Sequence, residues 1–186
     1  MWFTADTHFG HEAIIKYDKR PFTSVRDHDE TIIRNWNEVV RLNDDVWHLG
    51  DFAFLDNATI IKYLERMNGR IHFVKGNHDD KRALKCWDSF ASWDDAKYLR
   101  HNNQKLYLHH YPCHCWRGSH KGSWHLYGHV HGSYVGPGKC LDVGIMNHNY
   151  YPIHFDAIRV MMDSRPMIYH HPGMESQEGR NDKNEY

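Results

Sequence analysis

The chain has 186 residues, with 23 Lys and Arg against 24 Asp and Glu, a formal net charge of −1, and 18 His. That length suits one domain with a real core rather than two, and the balanced charge gives no global electrostatic reason for a nucleic-acid or membrane partner. No apolar run approaches the ~20 residues of a membrane span, and the first residues read as a strand rather than a leader, so a cytoplasmic protein with no membrane partner is expected. Four cysteines, Cys86, Cys113, Cys115 and Cys140, lack the spacing of a disulfide framework, which suits a reducing compartment.

In chain order, residues 2–5 form a short apolar run that ends in a polar turn, the signature of a buried strand. Ile32, Ile33, Trp36, Val39 and Val40 then mark one face of a helix over 26–41, with Ser24 as its N-cap. Further strands are expected over 45–49 and 70–74. Between them Ile60, Ile61, Leu64 and Met67 mark a second helix, closed by Asn68-Gly69. A short helix is expected over 81–87. From Tyr98 the pattern turns to strands, at 105–108, 125–127 and 141–145, with Asn102-Asn103 as a hairpin turn. Residues 1–170 read as a single domain, and the polar, aperiodic stretch 171–186 as a flexible tail.

The chemistry gathers where these strands end. Asp6-Thr7-His8 follows the first strand, Gly50-Asp51 the second, and Gly76-Asn77-His78-Asp79 the third. His109-His110-Tyr111-Pro112 and Gly128-His129-Val130-His131 follow later ones. Ligand sites in open α/β sheets form at the carboxyl ends of strands, so one sheet edge would collect the whole series. Carboxylate, amide oxygen and imidazole suit borderline-hard divalent metals. A structural zinc site would be rich in Cys and closed at four ligands; this set has no Cys and offers more than four.

These five blocks, in this order over about residues 1–146, resemble the calcineurin-like metallophosphoesterase superfamily. The resemblance implies an α/β (α+β) four-layer sandwich of two mixed sheets flanked by helices. It implies one divalent ion held by Asp6, His8 and His131, a second by Asn77, His129 and a His of the 109/110 pair, and Asp51 bridging both. The family's strand-His-Tyr-Pro pattern favours His110. Mn2+ is ranked first, with Fe, Ni2+ and Zn2+ as alternatives, because ligand type does not select one. The implied activity is hydrolysis of a phosphate ester by a hydroxide bridging the ions. A small phosphodiester such as a nucleotide or cyclic nucleotide is preferred over a phosphomonoester or a nucleotide pyrophosphate. Asp51 and His78 are the catalytic candidates, with His78 working on the leaving oxygen. A non-catalytic scaffold is the rival from another class; filled ligand positions and the presence of His78 argue against it.

Other residues carry weaker signals. His11, His114 and Arg117 are candidate substrate contacts; His11 opens a helix beside the first ligands, and Arg suits phosphate. Arg26 and His28 read as a solvated face, and His48 and His125 as strand residues near the site or in the core. Cys113-His114-Cys115 lacks the second pair of a zinc ribbon. Seven Trp and eleven Tyr could stack on bases, but without a basic stripe nucleic acid stays an unsupported partner.

Overall fold

The structure is a computed structural model and describes residues 1–79 and 86–169. Two mixed sheets face each other, flanked by helices. The first has the order β4-β3-β2-β1-β9, from β1 (Trp2–Thr4), β2 (Asp45–His48), β3 (Arg70–Val74), β4 (Ser92–Asp94) and β9 (Ile153–His154). All its pairs are parallel except β1 with β9. The second has the order β5-β6-β7-β8, from β5 (Ala96–His101), β6 (Gln104–His109), β7 (Trp124–Tyr127) and β8 (Cys140–Asp142). The expected single edge is therefore two edges brought face to face, because the series divides between the sheets.

Helices α1 (Glu12–Tyr17), α2 (Val25–Val39) and α3 (Asn57–Leu64) supply the crossovers of the first sheet. The Ser24 side chain caps α2 by accepting from Asp27 N at 3.1 Å, and Asp56 caps α3 by accepting from Thr59 N at 3.1 Å. The second helix stops at Leu64, before Asn68-Gly69. Ile32, Trp36, Ile60 and Leu64 pack on Val46, Ile71 and Phe73 of the sheet. Trp47 and Leu49 point the other way, as strand alternation requires. They join Phe3, Leu106, Leu108, Trp124 and Leu126 in a core between the sheets. Full burial of such a side chain contributes roughly 1.5–3 kcal/mol.

The second half is not all strand. Helix α4 (Phe155–Asp163) inserts Phe155, Ile158 and Met162 into the inter-sheet core. That three-and-four spacing was present in the sequence, behind an uncommon cap, the His154 imidazole accepting from Asp156 N. Residues 141–145 are not one strand either: β8 ends at Asp142, and the chain crosses to the first sheet, where Gly144 bridges Ala5. Asn102 and Asn103 both have positive φ, 47° and 66°, as the tight hairpin between β5 and β6 demands. The parallel step from β6 to β7 uses a long loop instead of a helix, and its Trp116 covers Tyr127 and Cys140 on the outer face of the second sheet. The expected helix over 81–87 falls outside the described residues except at its end, a 3-10 turn at Trp87–Ser89. The expected tail, 171–186, also lies outside them. Among the described residues no helix is long and apolar enough to cross a membrane.

Candidate metal centre

The turns after β1, β2 and β3 are tied together before any side chain converges. Asp6 N donates to Gly50 O at 3.0 Å and His8 N to Asp51 O at 3.0 Å. Asp79 is buried and accepts from Asp51 N at 2.7 Å, Phe52 N at 3.1 Å and Gly76 N at 2.7 Å, locking the second turn to the third. Two glycines are there for close approach. A Cβ on Gly76 would collide with the Asp51 carboxylate, and one on Gly128 would sit 2.6 Å from Asp6 Oδ2.

Two clusters result. The donor atoms of Asp6, His8 and His131 lie within 4.8 Å of one another, and so do those of Asp51, His110 and His129. Asp51 stands between the two: its Oδ2 is 3.8 Å from His8 Nε2, 3.6 Å from His110 Nε2 and 3.9 Å from His78 Nε2. Asn77 Oδ1 faces His110 Nε2 at 3.0 Å, so all seven expected ligands are in one place. Of the histidine pair, His110 shares the inward face of Leu106 and Leu108 and is fully buried, whereas His109 turns outward to the Tyr111 carbonyl.

The backbone also marks these positions. Ten non-glycine residues among those described have positive φ, and five of them are Asp6, His8, Asp51, His129 and His131. Each such conformation costs on the order of 1–3 kcal/mol and persists where its surroundings impose it.

Protonation follows burial. Burial pushes the Asp6 carboxyl well up, with His131 opposing and the Asp142 and Asp51 charges adding. Asp51 is raised by burial too. Burial holds His8 far below the usual imidazole range, with the Arg20 charge adding to it. Burial lowers His110 to about 4 and also lowers His129. Burial would depress His131 as well, but its hydrogen bond to Asp18 and the Asp6 and Asp18 charges outweigh that and raise it.

This donor set fits divalent cations. His131 Nδ1 donates to Asp18 Oδ2 at 2.7 Å and His110 Nδ1 to Leu49 O at 2.7 Å, leaving each Nε2 lone pair turned inward. His131 Nε2 then faces His8 Nε2 at 3.2 Å, and His110 Nε2 faces the Asn77 oxygen. An imidazole lone pair facing an amide oxygen, and carboxyls that ionise reluctantly alone, are what a cation between them would resolve.

The comparisons with known proteins agree. The family model of the calcineurin-like phosphoesterase superfamily domain matches residues 2–141. The chain belongs to the calcineurin-like phosphoesterase superfamily. It is 32% identical over 177 residues to the uncharacterized protein MJ1445 of Methanocaldococcus jannaschii, covering 90% of this chain and 94% of that one. It is also similar to the gene 66 protein of Mycobacterium phage L5, 35% identical over 86 residues, 45% of this chain and 41% of the phage protein. Among solved structures, a protein of unknown function from Aquifex aeolicus, AQ665, superposes with a TM-score of 0.69 at 24% identity, over 87% of this chain and 98% of its own, a likeness of fold. The chain is thus a hydrolase acting on phosphoester bonds, of a superfamily that binds divalent metals.

Within this calcineurin-like frame several contributors escaped sequence reasoning. Asp18 holds His131, and Arg20 holds Asp18 through Nε and a terminal nitrogen at 3.1 Å each. Arg20 also donates to the Asp6 carbonyl at 3.0 Å and meets His28 Nε2 at 2.8 Å. His28 Nδ1 meets Asp29 Oδ1 at 2.7 Å, and Asp29 accepts from Gly10 N. His28 is therefore no solvated residue; it is fully buried in this network, while Arg26 is exposed. Asp142 accepts from Gly132 N and Gly144 N at 2.8 Å each and so fixes the turn that carries His131.

Of the substrate candidates, His11 lies at the site: its ring stacks on Phe54 at 4.0 Å and stands 5.5 Å from His8. Phe54 also approaches His78, at 5.0 Å, and walls the cluster. Arg117 does not reach the cluster. Its N–H donates to the Tyr98 hydroxyl, and it lines a cavity with Arg100 and Lys105, because the loop after His110 runs back along the outer face of the second sheet. His114 is exposed on that same loop. His48 is a core residue that meets Thr7 Oγ1 at 2.9 Å, and His125 is buried on the outer face, accepting from Cys113 N at 3.1 Å.

Proposed function

We propose that this calcineurin-like chain hydrolyses small phosphodiesters, such as nucleotides or cyclic nucleotides, with two divalent ions that share Asp51. The observation that carries this reading is the Asp51 Oδ2 atom, within 3.6–3.9 Å of His8, His110 and His78 and between the two clusters. Asp6, His8 and His131 would hold one ion, and Asn77, His110 and His129 the other. Mn2+ is the first choice, with Fe, Ni2+ and Zn2+ as alternatives. Two such ions acidify water and neutralise phosphoryl oxygens.

The chain's own residues supply the rest. His78 donates its backbone N–H to Asp51 Oδ1 at 3.0 Å, which sets its ring over the shared carboxylate with the side chain 46% exposed. Its Nε2 can carry a proton to a departing ester oxygen. His11, stacked on Phe54, lies on the same rim and is placed to meet a phosphate oxygen. Asn77, His78 and His129 are all exposed, so the cluster opens to solvent and leaves room for both arms of a diester. A cytoplasmic setting goes with this reading.

The test is a comparison of a bis-aryl with a mono-aryl phosphate across Mn2+, Fe2+, Ni2+ and Zn2+. Faster turnover of the diester supports the proposal; turnover of the monoester alone contradicts it.

A further inference from the structure

Tyr111 follows the ligand His110 directly and turns the other way: His110 is fully buried, whereas Tyr111 is 40% exposed. Its ring centroid lies 4.5 Å from that of His129 and 5.1 Å from that of His110, so one tyrosine touches two ligands of the second cluster. His109 meets the same ring at 5.6 Å. The imidazoles of His129, His110 and His109 are inclined to its plane by 63°, 73° and 48°, and contacts of that kind steady a ring without lying flat on its face. Two other rings are already paired face to face: Phe54 at the first cluster with His11 at 4.0 Å, and the exposed Tyr98 with Tyr107 at 4.4 Å. His129 is exposed too, so the Tyr111 ring stands on the open side of the second cluster.

The backbone beneath the ring is pinned. His110 O accepts from Gly128 N at 2.9 Å, which joins the strand end that carries Tyr111 to the turn that carries His129. Tyr111 O accepts from His109 Nδ1 at 3.1 Å. Pro112 follows, with its φ fixed by its own ring. Cys113 N then donates to the buried His125 at 3.1 Å. A tyrosine on such a frame has only two side-chain torsions to lose when a ligand covers it, so its ring is a surface prepared in advance.

We infer that Tyr111 sets the specificity of the site by stacking on the nucleobase of a nucleoside phosphate bound at the second cluster. A nucleoside carries a flat aromatic base one sugar away from its phosphate, and a ring beside the ligands is where that base would lie. The aliphatic arm of a glycerol-type ester has no flat face to match it. Stacking tolerates any base, because every base has a π-face, so this contact selects nucleotides as a class and not one base among them. It needs the aromatic ring and not the hydroxyl. The inference rests on the two clusters being the seat of a phosphate group and narrows the substrate proposed for them. Its test reads the binding of a base and not the cleavage of a diester, so the two can fail separately.

The probes are the methylene phosphonate analogues of adenosine 5′-phosphate and of ribose 5-phosphate, whose P–C bond resists hydrolysis. They are titrated by calorimetry into Mn2+-loaded wild type, Tyr111→Leu, Tyr111→Phe and Tyr111→Trp, with bound metal counted for each. The wild type should hold the adenosine probe about 5–100-fold more tightly than the ribose probe, the worth of one base stacked on one ring. Tyr111→Leu should bring that ratio close to one, whereas Tyr111→Phe should keep it and Tyr111→Trp should keep or raise it. A ring that only props His129 would, when removed, weaken both probes alike and leave the ratio at its wild-type value; that result would overturn the inference. So would a wild type that holds the two probes equally or binds neither. If Tyr111→Leu loses metal, the other two variants decide, and a fall of the ratio in both Tyr111→Phe and Tyr111→Trp counts against stacking. The diesterase reading is decided separately, by the bis-aryl against mono-aryl comparison.

Discussion

The two candidate metal clusters are built differently. Asp6 and His8 are buried at 0% and 2% exposure, and their partner His131 is held from behind by a chain of contacts through Asp18, Arg20, His28 and Asp29. In the second cluster, beside Asp51, His110 is anchored in the core by its bond to Leu49 O, whereas His129 and Asn77 are exposed. Ligands whose orientation is fixed in advance lose little freedom on binding a cation. On the proposed reading the first cluster would be the tighter seat, and the second, open to solvent, would be where substrate and ion exchange. Asp51, 2% exposed and near both, would couple them.

The largest effect should come from breaking that coupling. Asp51→Asn removes the shared charge, and metal content and phosphoesterase activity should fall together to background, measured by elemental analysis and turnover on one preparation. Full activity in that variant would refute a shared carboxylate. His78→Ala should keep both ions and slow turnover by about 10²–10⁴-fold, with a smaller loss for good leaving groups such as aryl oxides. Equal metal loss in this variant and in Asp51→Asn would place His78 among the ligands instead.

Asp18→Asn sharpens the contrast between clusters. It should weaken one of two calorimetric binding events by about 10–100-fold and leave the other alone; equal weakening of both would erase the distinction drawn here. A further effect lies outside both clusters. Burial lowers His125 to about 4, so the folded protein holds it neutral while the unfolded chain protonates it near its ordinary 6.5. Its contribution is present above about pH 6.5 and is lost as pH falls towards 4, up to roughly 3 kcal/mol. Metal-free His125→Gln should lose less stability than wild type across that window in urea melts. Identical pH slopes would show that His125 does not carry the effect.

How much of this was legible in the sequence depends on range. The ligand series is made of local motifs at strand ends, and each block is readable without its neighbours. His110 over His109 was readable too, because Leu106, Leu108 and His110 alternate onto one face. Helix α4 left its spacing in Phe155, Ile158 and Met162, although its histidine cap is an unusual start signal. What could not be read is contact across the chain: Asp18 meets His131 over 113 positions, and nothing near Asp18 announces it. Arg117 was assigned to the substrate because it follows His110 in sequence, but the loop carries it to the far end of the hairpin. The cavity that Arg117 lines was invisible for the same reason: Arg100 and Lys105 meet Arg117 only after folding.

The central claim is that one carboxylate serves two ions. The most direct test is equilibrium dialysis of the metal-stripped protein against Mn2+, with bound metal counted per chain. The account predicts two ions per chain in the wild type, the first bound more tightly than the second. Saturation at a single ion, or none, would contradict it.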